Sequence, residues 1–245
     1  MKADKIIGVI PARYGSTRFA GKPLIKILQK PLLQWVIEGA REATLLDDLF
    51  VATDDERIAE LSESLKVKTI MTPSDLPSGS DRVWAVVKDI PCEYVINIQG
   101  DEPLLTGKVL DTLAGVLKGD VQLATLARPI KSLEELKNPA FAKIALNNKG
   151  EALYFSRSPI PFSQNEELSG HLKHIGLYGY KKSCLEKFCN QGPVELERTE
   201  RLEQLRALWM GIRIKVVLTD YESWGVDEPK DVVQVEQLIK EKRSR

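Results

Sequence analysis

Three cations fall within ten residues in the stretch PARYGSTRFAGKPL, Pro11 to Leu24: Arg13, Arg18 and Lys22 share a loop with Gly15 and Gly21. Cations that close together repel unless an anion joins them, and the glycines let backbone approach a ligand, so the pattern suits a polyphosphate. A solvated basic loop paired to neighbouring acids is the other reading. The loop fits neither familiar phosphate motif: there is no GxGxxG opening a helix, and Lys22 is followed by Pro23 where a Walker loop needs a hydroxyl for magnesium. A partner for the cations appears in two acidic stretches, Asp101 in QGDEP and Asp227 in GVDEP. Each carboxylate could hold a hard cation such as magnesium, which takes one or two protein carboxylates together with phosphate and water. Taken singly, Asp101 also reads as a turn aspartate and Asp227 as a helix N-cap before Pro229. TPSDLPSGSDR adds Thr72, Ser78, Gly79, Ser80 and Arg82, groups that suit a nucleobase edge, a phosphate or ordinary turn chemistry. FSRSPIP and HIGLYGY add Arg157, His174 and Tyr178 as candidates for an anionic or hydroxylated second substrate, though a lone histidine at a strand edge is more often structural.

Something must hold these loops together. Apolar runs bounded by turn signals alternate with helical periodicity through the first half of the chain, which predicts β-α units on a mostly parallel sheet. The expected strands are Lys5–Ile10, Leu49–Thr53, Val67–Met71, Tyr94–Ile98 and Val121–Ala127, with helical faces at Leu32, Leu33, Val36, Ile37 and Ala40 and at Ile58, Leu61 and Leu65, and a further helix near Arg82–Lys88. Ligands of open α/β sheets sit at the carboxyl ends of strands, where all four unusual loops are expected. Beyond about residue 140 the regularity changes. Short runs at Lys143–Leu146, Ala152–Phe155 and Ile175–Tyr180 predict an antiparallel extension on the same sheet, followed by one long helix from Leu196 to Met210, a late strand Ile212–Leu218 and a last helix Asp231–Lys240. The chain is expected to form a single domain over 1–245 with a subdomain near 140–210.

Thirty-five basic and thirty-five acidic residues give zero net charge, so a cationic site must be local and a polynucleotide-binding role is disfavoured. The 43% hydrophobic content is ordinary for a globular protein, and no run reaches the roughly 18 apolar residues of a membrane span, so a cytoplasmic protein with no membrane contact is expected. Cys92, Cys184 and Cys189 form neither an even set nor a CxxC pair and read as packing residues, and the two histidines, His171 and His174, leave little for a transition-metal site.

PARYGSTRFAGKPL, VATDDERI, SGSDR, NIQGDEPL, ATLARPI, ALYFSRSPIP, KHIGLYGY, LEQLRALWMG and GVDEPKD together resemble the 3-deoxy-manno-octulosonate cytidylyltransferases, the CMP-Kdo synthetases. The likeness covers nearly the whole chain and departs from the commonest pattern at Phe19-Ala20, Leu76-Pro77 and Asp81. It implies an α/β nucleotidyltransferase fold, Rossmann-like and three-layered, with a smaller antiparallel dimerisation subdomain that also contributes to the sugar site. It implies transfer of CMP from CTP to Kdo (3-deoxy-D-manno-octulosonate) for lipopolysaccharide synthesis, in a cytoplasmic homodimer using Mg2+. Carried over residue by residue, it assigns Arg13, Ser16, Arg18 and Lys22 to the triphosphate and Ser78, Gly79, Ser80 and Arg82 to the nucleotide, with Pro11, Ala12, Thr72 and Asp101 also in the nucleotide site. Asp101 and Asp227 match magnesium-binding positions, with Lys22 and Arg18 alongside them in catalysis. Gln99, Arg157, His174, Tyr178, Glu203 and Gln204 match positions around the sugar acid. Two rivals stand beside this reading: a cytidylyltransferase for another sugar acid, such as an 8-amino Kdo analogue or a sialic acid, and a nucleotide-sugar-binding protein without turnover.

Overall fold

The computed structural model describes residues 4–15, 19–165 and 167–243. Along the chain, β1 (Ile6–Ala12) is followed by a small hairpin of β2 (Lys26–Ile27) and β3 (Lys30–Pro31), then α1 (Leu32–Arg41), β4 (Asp48–Thr53), α2 (Glu56–Ser64) and β5 (Lys68–Met71). Next come α3 (Gly79–Val87), β6 (Tyr94–Asn97), α4 (Gly107–Leu117), β7 (Leu123–Pro129) and α5 (Leu133–Lys137). The antiparallel part holds β8 (Lys143–Leu146), β9 (Ala152–Ser156) and β10 (Leu172–Lys181), and α6 (Lys182–Gln191), α7 (Glu195–Glu200), α8 (Leu205–Trp209), β11 (Ile214–Leu218) and α9 (Pro229–Arg243) complete the order.

The main sheet runs β11-β7-β10-β6-β1-β4-β5, with β8 joined to β10 and β9 to β8. β1 pairs in parallel with both β4 and β6, so the strand order reverses direction at β1, and the loops after β1 and β6 flank the crevice where such sheets bind ligands. The expected strands at the N-terminal end are therefore present, within a residue or two of the predicted bounds.

β1 shows why the sheet holds. Ile6 and Ile10 pack on one side with Leu33, Val36 and Ile37 of α1 and Leu110 and Leu113 of α4. Ile7 and Val9 pack on the other with Val83 and Val87 of α3 and Leu185 and Phe188 of α6. Burial on both faces makes the strand a continuous apolar run rather than an alternating one, each large side chain contributing about 1.5–3 kcal/mol. Gly39 allows α1 to lie against the segment that follows β6: a methyl group there would sit 2.1 Å from the Leu105 carbonyl oxygen. A third, smaller cluster joins Ile27 and Leu32 to Val235 and Ile239 of α9, and includes Val226, beside Asp227.

The expected antiparallel extension is on the same sheet. β10 lies inside the sheet, antiparallel to both β6 and β7, with a bulge between Ile175 and Tyr178. The helix predicted from Leu196 to Met210 is two short helices, because Arg201 adopts a left-handed backbone (φ 54°) that ends α7. Local periodicity does not demand that break. Arg157 fixes it, its guanidinium donating to the carbonyls of Glu200 (3.0 Å) and Arg201 (3.2 Å), while the Glu200 carboxylate takes the Ser156 hydroxyl at 2.6 Å and the Arg157 amide at 3.0 Å. The consequence for the site is that Glu203 turns toward Ser78.

Candidate active site

A cleft of about 250 Å³ opens at the carboxyl ends of the strands and is lined from all four unusual loops. Pro11, Ala12, Arg13 and Lys22 come from the first, Ser78, Gly79 and Arg82 from the second, Gln99 and Asp101 from the third, and Asp227 from the fourth. Ser16 and Arg18 lie outside the described residues.

The first loop leaves β1 and closes on itself where the Gly21 amide donates to the Tyr14 carbonyl (2.9 Å). Gly21 takes a left-handed conformation (φ 70°), open to glycine without strain, under the Tyr14 ring. Pro23, which rules out an α-helix running through Lys22, instead sits in the first turn of a 3₁₀ helix, Lys22–Leu24. That turn aims Lys22 across the cleft. Its ammonium donates to Asp101 Oδ2 at 2.6 Å and to Asp227 Oδ1 at 3.3 Å, so the cation and the two acids separated by over 120 residues share one point. Gly100 brings the β1 and β6 loops together: a Cβ there would lie 2.8 Å from the Pro11 carbonyl oxygen.

Ser78 caps α3, accepting from the Asp81 amide at 3.2 Å, and with Gly79 it lines the cleft, so the helix starts at the cleft wall, where a helix N-terminus favours an anionic group. Ser80 is buried behind it. Arg82 is 3% exposed, donating to Asp54 Oδ2 at 3.0 Å and to the Thr72 hydroxyl at 2.5 Å. Thr72 thus supports Arg82 and does not line the cleft. Asp54 also accepts from the Tyr14 amide at 3.3 Å, tying the basic loop to Arg82.

The remaining candidates form a neighbouring wall. Gln99 donates to the Gly176 carbonyl (3.0 Å), in the β10 bulge between His174 and Tyr178. His174 packs against Tyr178 with ring centroids 5.4 Å apart and edge-on to Phe155 at 5.1 Å, and its Nε2 lies 3.0 Å from the Thr125 hydroxyl. Burial pushes its pKa down to about 3, so the imidazole is neutral near pH 7 and can hydrogen-bond a substrate without adding charge. Ser78 joins this wall to the cleft through Glu203 Oε1 at 2.7 Å. Burial raises the Glu203 pKa, and the hydrogen bond from Ser78 opposes it. Gln204 Nε2 and Asn97 Oδ1 are buried without a hydrogen-bond partner, polar atoms that a bound hydroxyl or carboxylate would satisfy. Arg157 is not brought to the cleft: its guanidinium is turned to the carbonyls of Pro139, Glu200 and Arg201.

His174 also sets a pH dependence of folding. An unfolded chain takes up a proton near pH 6.5, but the folded chain resists it until about pH 3, so stability falls by up to about 1.4 kcal/mol for each unit as pH drops through that window. Urea unfolding of the wild type and of His174→Gln at pH 6 and pH 4 is expected to show the wild type losing about 2 kcal/mol more than the variant. Parallel losses would refute the assignment.

Asp101 and Asp227 offer an all-oxygen donor set, and an ammonium already lies between them, so the pair fits a hard divalent cation. Among the described residues no group of three or more histidine, cysteine or acidic side chains could hold a metal ion, so such a cation would take its other ligands from phosphate and water.

Two contributors, Asp54 in VATDDERI and Glu102 in QGDEP, lie within the quoted motifs but are not among the candidates drawn from them. Asp54 follows strand β4 directly, and its place at a strand end is the signal that marks it. Glu102 is masked by its neighbour Asp101, and nothing in its spacing distinguishes it.

The model of the cytidylyltransferase family matches residues 7–214. A 3-deoxy-manno-octulosonate cytidylyltransferase of Bdellovibrio bacteriovorus is 50% identical over 242 residues, covering 96% of this chain and 98% of its own. This chain belongs to the 3-deoxy-manno-octulosonate cytidylyltransferase family. A second member, from Thermodesulfovibrio yellowstonii, is 44% identical over 248 residues, covering 95% of this chain and 97% of its own. The solved structure of a CMP:2-keto-3-deoxy-manno-octonic acid synthetase complexed with CTP superposes with a TM-score of 0.92 at 38% identity, over 98% of this chain and all of that one. A 4-diphosphocytidyl-2C-methyl-D-erythritol synthase from Anaerococcus prevotii shares the fold, with a TM-score of 0.69 at 11% identity over 97% of each chain. The mostly parallel mixed sheet with its helices is thus the fold of the CTP-complexed synthetase.

Proposed function

We propose that the chain transfers CMP from CTP to the 2-hydroxyl of Kdo, releasing pyrophosphate and activating the sugar acid for lipopolysaccharide synthesis. The observation that carries this reading is the Lys22 bridge to Asp101 and Asp227 in a cleft walled by the start of α3, in a fold superposing on a synthetase complexed with CTP.

The hydroxyl oxygen attacks the α-phosphorus in line, and the bond to the pyrophosphate oxygen breaks on the opposite side. The protein's contribution is positioning and charge neutralisation. Arg13 and Lys22 offset charge gathering on the leaving pyrophosphate, with Ser16 and Arg18 assigned the same role by the family pattern. The start of α3 faces an anionic or base edge from the opposite wall, and Arg82 holds that wall in place. Gln99, His174, Tyr178, Glu203 and Gln204 present neutral or hydrogen-bonding groups to the hydroxyls of the sugar acid. Asp101 and Asp227 would hold Mg2+, which when bound supplies charge neutralisation at phosphate oxygens and a lower pKa for the attacking hydroxyl.

A cytoplasmic homodimer belongs to the same reading. Leu153, Phe162 and Trp209, 60%, 88% and 60% exposed, lie in the 140–210 subdomain and would be covered by a second copy. Light scattering at micromolar concentration tests that part. Pyrophosphate release measured with CTP, ATP, GTP and UTP, each with and without Kdo and magnesium, tests the whole. Release is expected with CTP, Kdo and magnesium together; equal rates with every nucleotide, or with Kdo omitted, would overturn it.

A further inference from the structure

Asp227 sits in a segment with no regular structure: from Asp220 to Asp227 the chain is neither helix nor strand. Yet a catalytic carboxylate must be held within a fraction of an ångström of its working position. The question is what fixes the segment. Glu102 is 7% exposed and faces away from the cleft lining. Its carboxylate accepts from the Tyr221 hydroxyl at 3.1 Å, from the Trp224 amide at 3.1 Å and from the Ser223 hydroxyl. One residue earlier, the Asp101 carbonyl accepts from the Val226 amide at 3.0 Å. Two consecutive residues thus bind four donors spread over six positions of the segment, and the next residue beyond those donors is Asp227.

This arrangement has the features of a register pin. A buried carboxylate is costly unless its lone pairs are filled, and here three donors fill them, all from one segment. The partners are specific in position: Tyr221, Ser223 and Trp224 stand just before Val226, which is itself buried in one cluster with Ile239 of α9. At the far end the Asp231 carboxylate accepts from the Asp227 and Glu228 amides, each at 2.8 Å, so Asp227 is held from both sides. No contact of Glu102 with the cleft is needed for it to control where Asp227 stands.

We propose that Glu102 is a positioning residue for the transfer reaction, clamping the 221–226 segment so that Asp227 meets Asp101 and Lys22 at one point. The proposal rests on the reading of Asp101 and Asp227 as the cation-holding pair, and it deepens that reading by naming the group that sets their separation. It uses Glu102 as a hydrogen-bond acceptor and requires no proton transfer from it.

The test compares Glu102→Ala, Glu102→Gln and the double variant Tyr221→Phe/Ser223→Ala, which keeps the carboxylate and removes two of its donors. Two quantities are read: kcat and KM for CTP in pyrophosphate release, and amide hydrogen exchange of the free protein at Trp224 and Val226. Glu102→Ala is expected to lower kcat by about 10–100-fold, the usual cost of removing a group that orients a metal ligand, with the KM for CTP changed less than about threefold. Trp224 and Val226 should exchange at least about tenfold faster, while amides of β1 and β6 keep their protection. Glu102→Gln keeps one acceptor oxygen and should recover part of both losses, and the double variant should fall between it and the wild type. Unchanged kcat in Glu102→Ala, or a loss of kcat with exchange at Trp224 and Val226 unaltered, would overturn the clamp. If Glu102→Ala fails to fold, the double variant decides alone: wild-type kcat and exchange there overturn the proposal. Asp227→Asn separates this from the underlying reading, because full turnover in that variant overturns the cation-holding role itself, whereas lost turnover there with intact Glu102 variants overturns only the clamp.

Discussion

Asp101→Ala is expected to lower the turnover of pyrophosphate release from CTP and Kdo by roughly 10³-fold, about 4 kcal/mol of transition-state stabilisation, while leaving the fold intact. The size follows from what the carboxylate does. On the proposed reading it is one of the two carboxylates that would hold a divalent cation in the cleft, and it also orients Lys22 through a 2.6 Å ion pair. Removing it takes away a cation site and frees the ammonium to swing toward Asp227 alone. Folding should scarcely notice, because the ion pair is partly exposed and such pairs contribute little to stability. The structural role of this position belongs to its backbone, whose carbonyl holds the Val226 amide and is kept in the variant. The check is paired: steady-state turnover at saturating substrates, and a urea unfolding curve. Turnover within about tenfold of wild type would sink the cation assignment, and a large fall in the unfolding midpoint would show that the loss had a different origin.

How far the sequence could be read depends on whether each feature is set locally. Strands β1, β4 and β6 were legible because both faces are buried and the apolar runs end near proline, aspartate and glycine, whereas the two-residue strands β2 and β3 carry too little pattern to read. Loops on such strands must fall at one sheet edge, so the meeting of Lys22 with Asp101 could be anticipated from order alone. Five features could not. The central place of β10 depends on pairings with Asn97 on one side and Thr125 on the other, which no local pattern encodes. The break between α7 and α8 depends on Arg157, a residue 44 positions earlier that bonds the Arg201 carbonyl, and without that contact Leu202 and Leu205 continue a helical stripe. For the same reason Arg157 looks like an anion binder in the sequence and proves to be engaged with backbone. Thr72 is similar: a hydroxyl at a strand end suggests a ligand contact, but the buried Arg82 claims it. Glu102 hides because its three donors come from a segment about 120 residues away.

Arg82→Leu is expected to destabilise the protein by about 3–5 kcal/mol and to raise the KM for CTP, because one side chain serves both the core and the cleft. The guanidinium is 3% exposed and its partner Asp54 has a side chain 10% exposed, so both charges are removed from water and depend on each other. Leucine fills much of the volume but leaves Asp54 without its cation, and it leaves the Thr72 hydroxyl with only its bond to the Thr53 carbonyl at 3.1 Å. An uncompensated buried charge accounts for most of the loss, and for a chain of this size each kcal/mol lowers Tm by about 2–4 °C, so a fall of roughly 10 °C is expected in calorimetry. The effect on the cleft is direct, because Arg82 lines it, and Asp54, which accepts from the Tyr14 amide, adds an anchor for the basic loop that carries Arg13 and Lys22. Adding Asp54→Asn to Arg82→Leu removes the stranded charge and should restore a substantial part of the Tm, yet it should not restore the KM, because Arg82 itself lines the cleft. Arg82→Lys keeps the charge but cannot present two diverging donors to Asp54 and Thr72, so it should fall between the wild type and leucine in both measurements. A wild-type Tm in Arg82→Leu would show that the pair contributes nothing net to the fold, and recovery of both Tm and KM in the double variant would assign the binding defect to the stranded carboxylate rather than to the lost guanidinium.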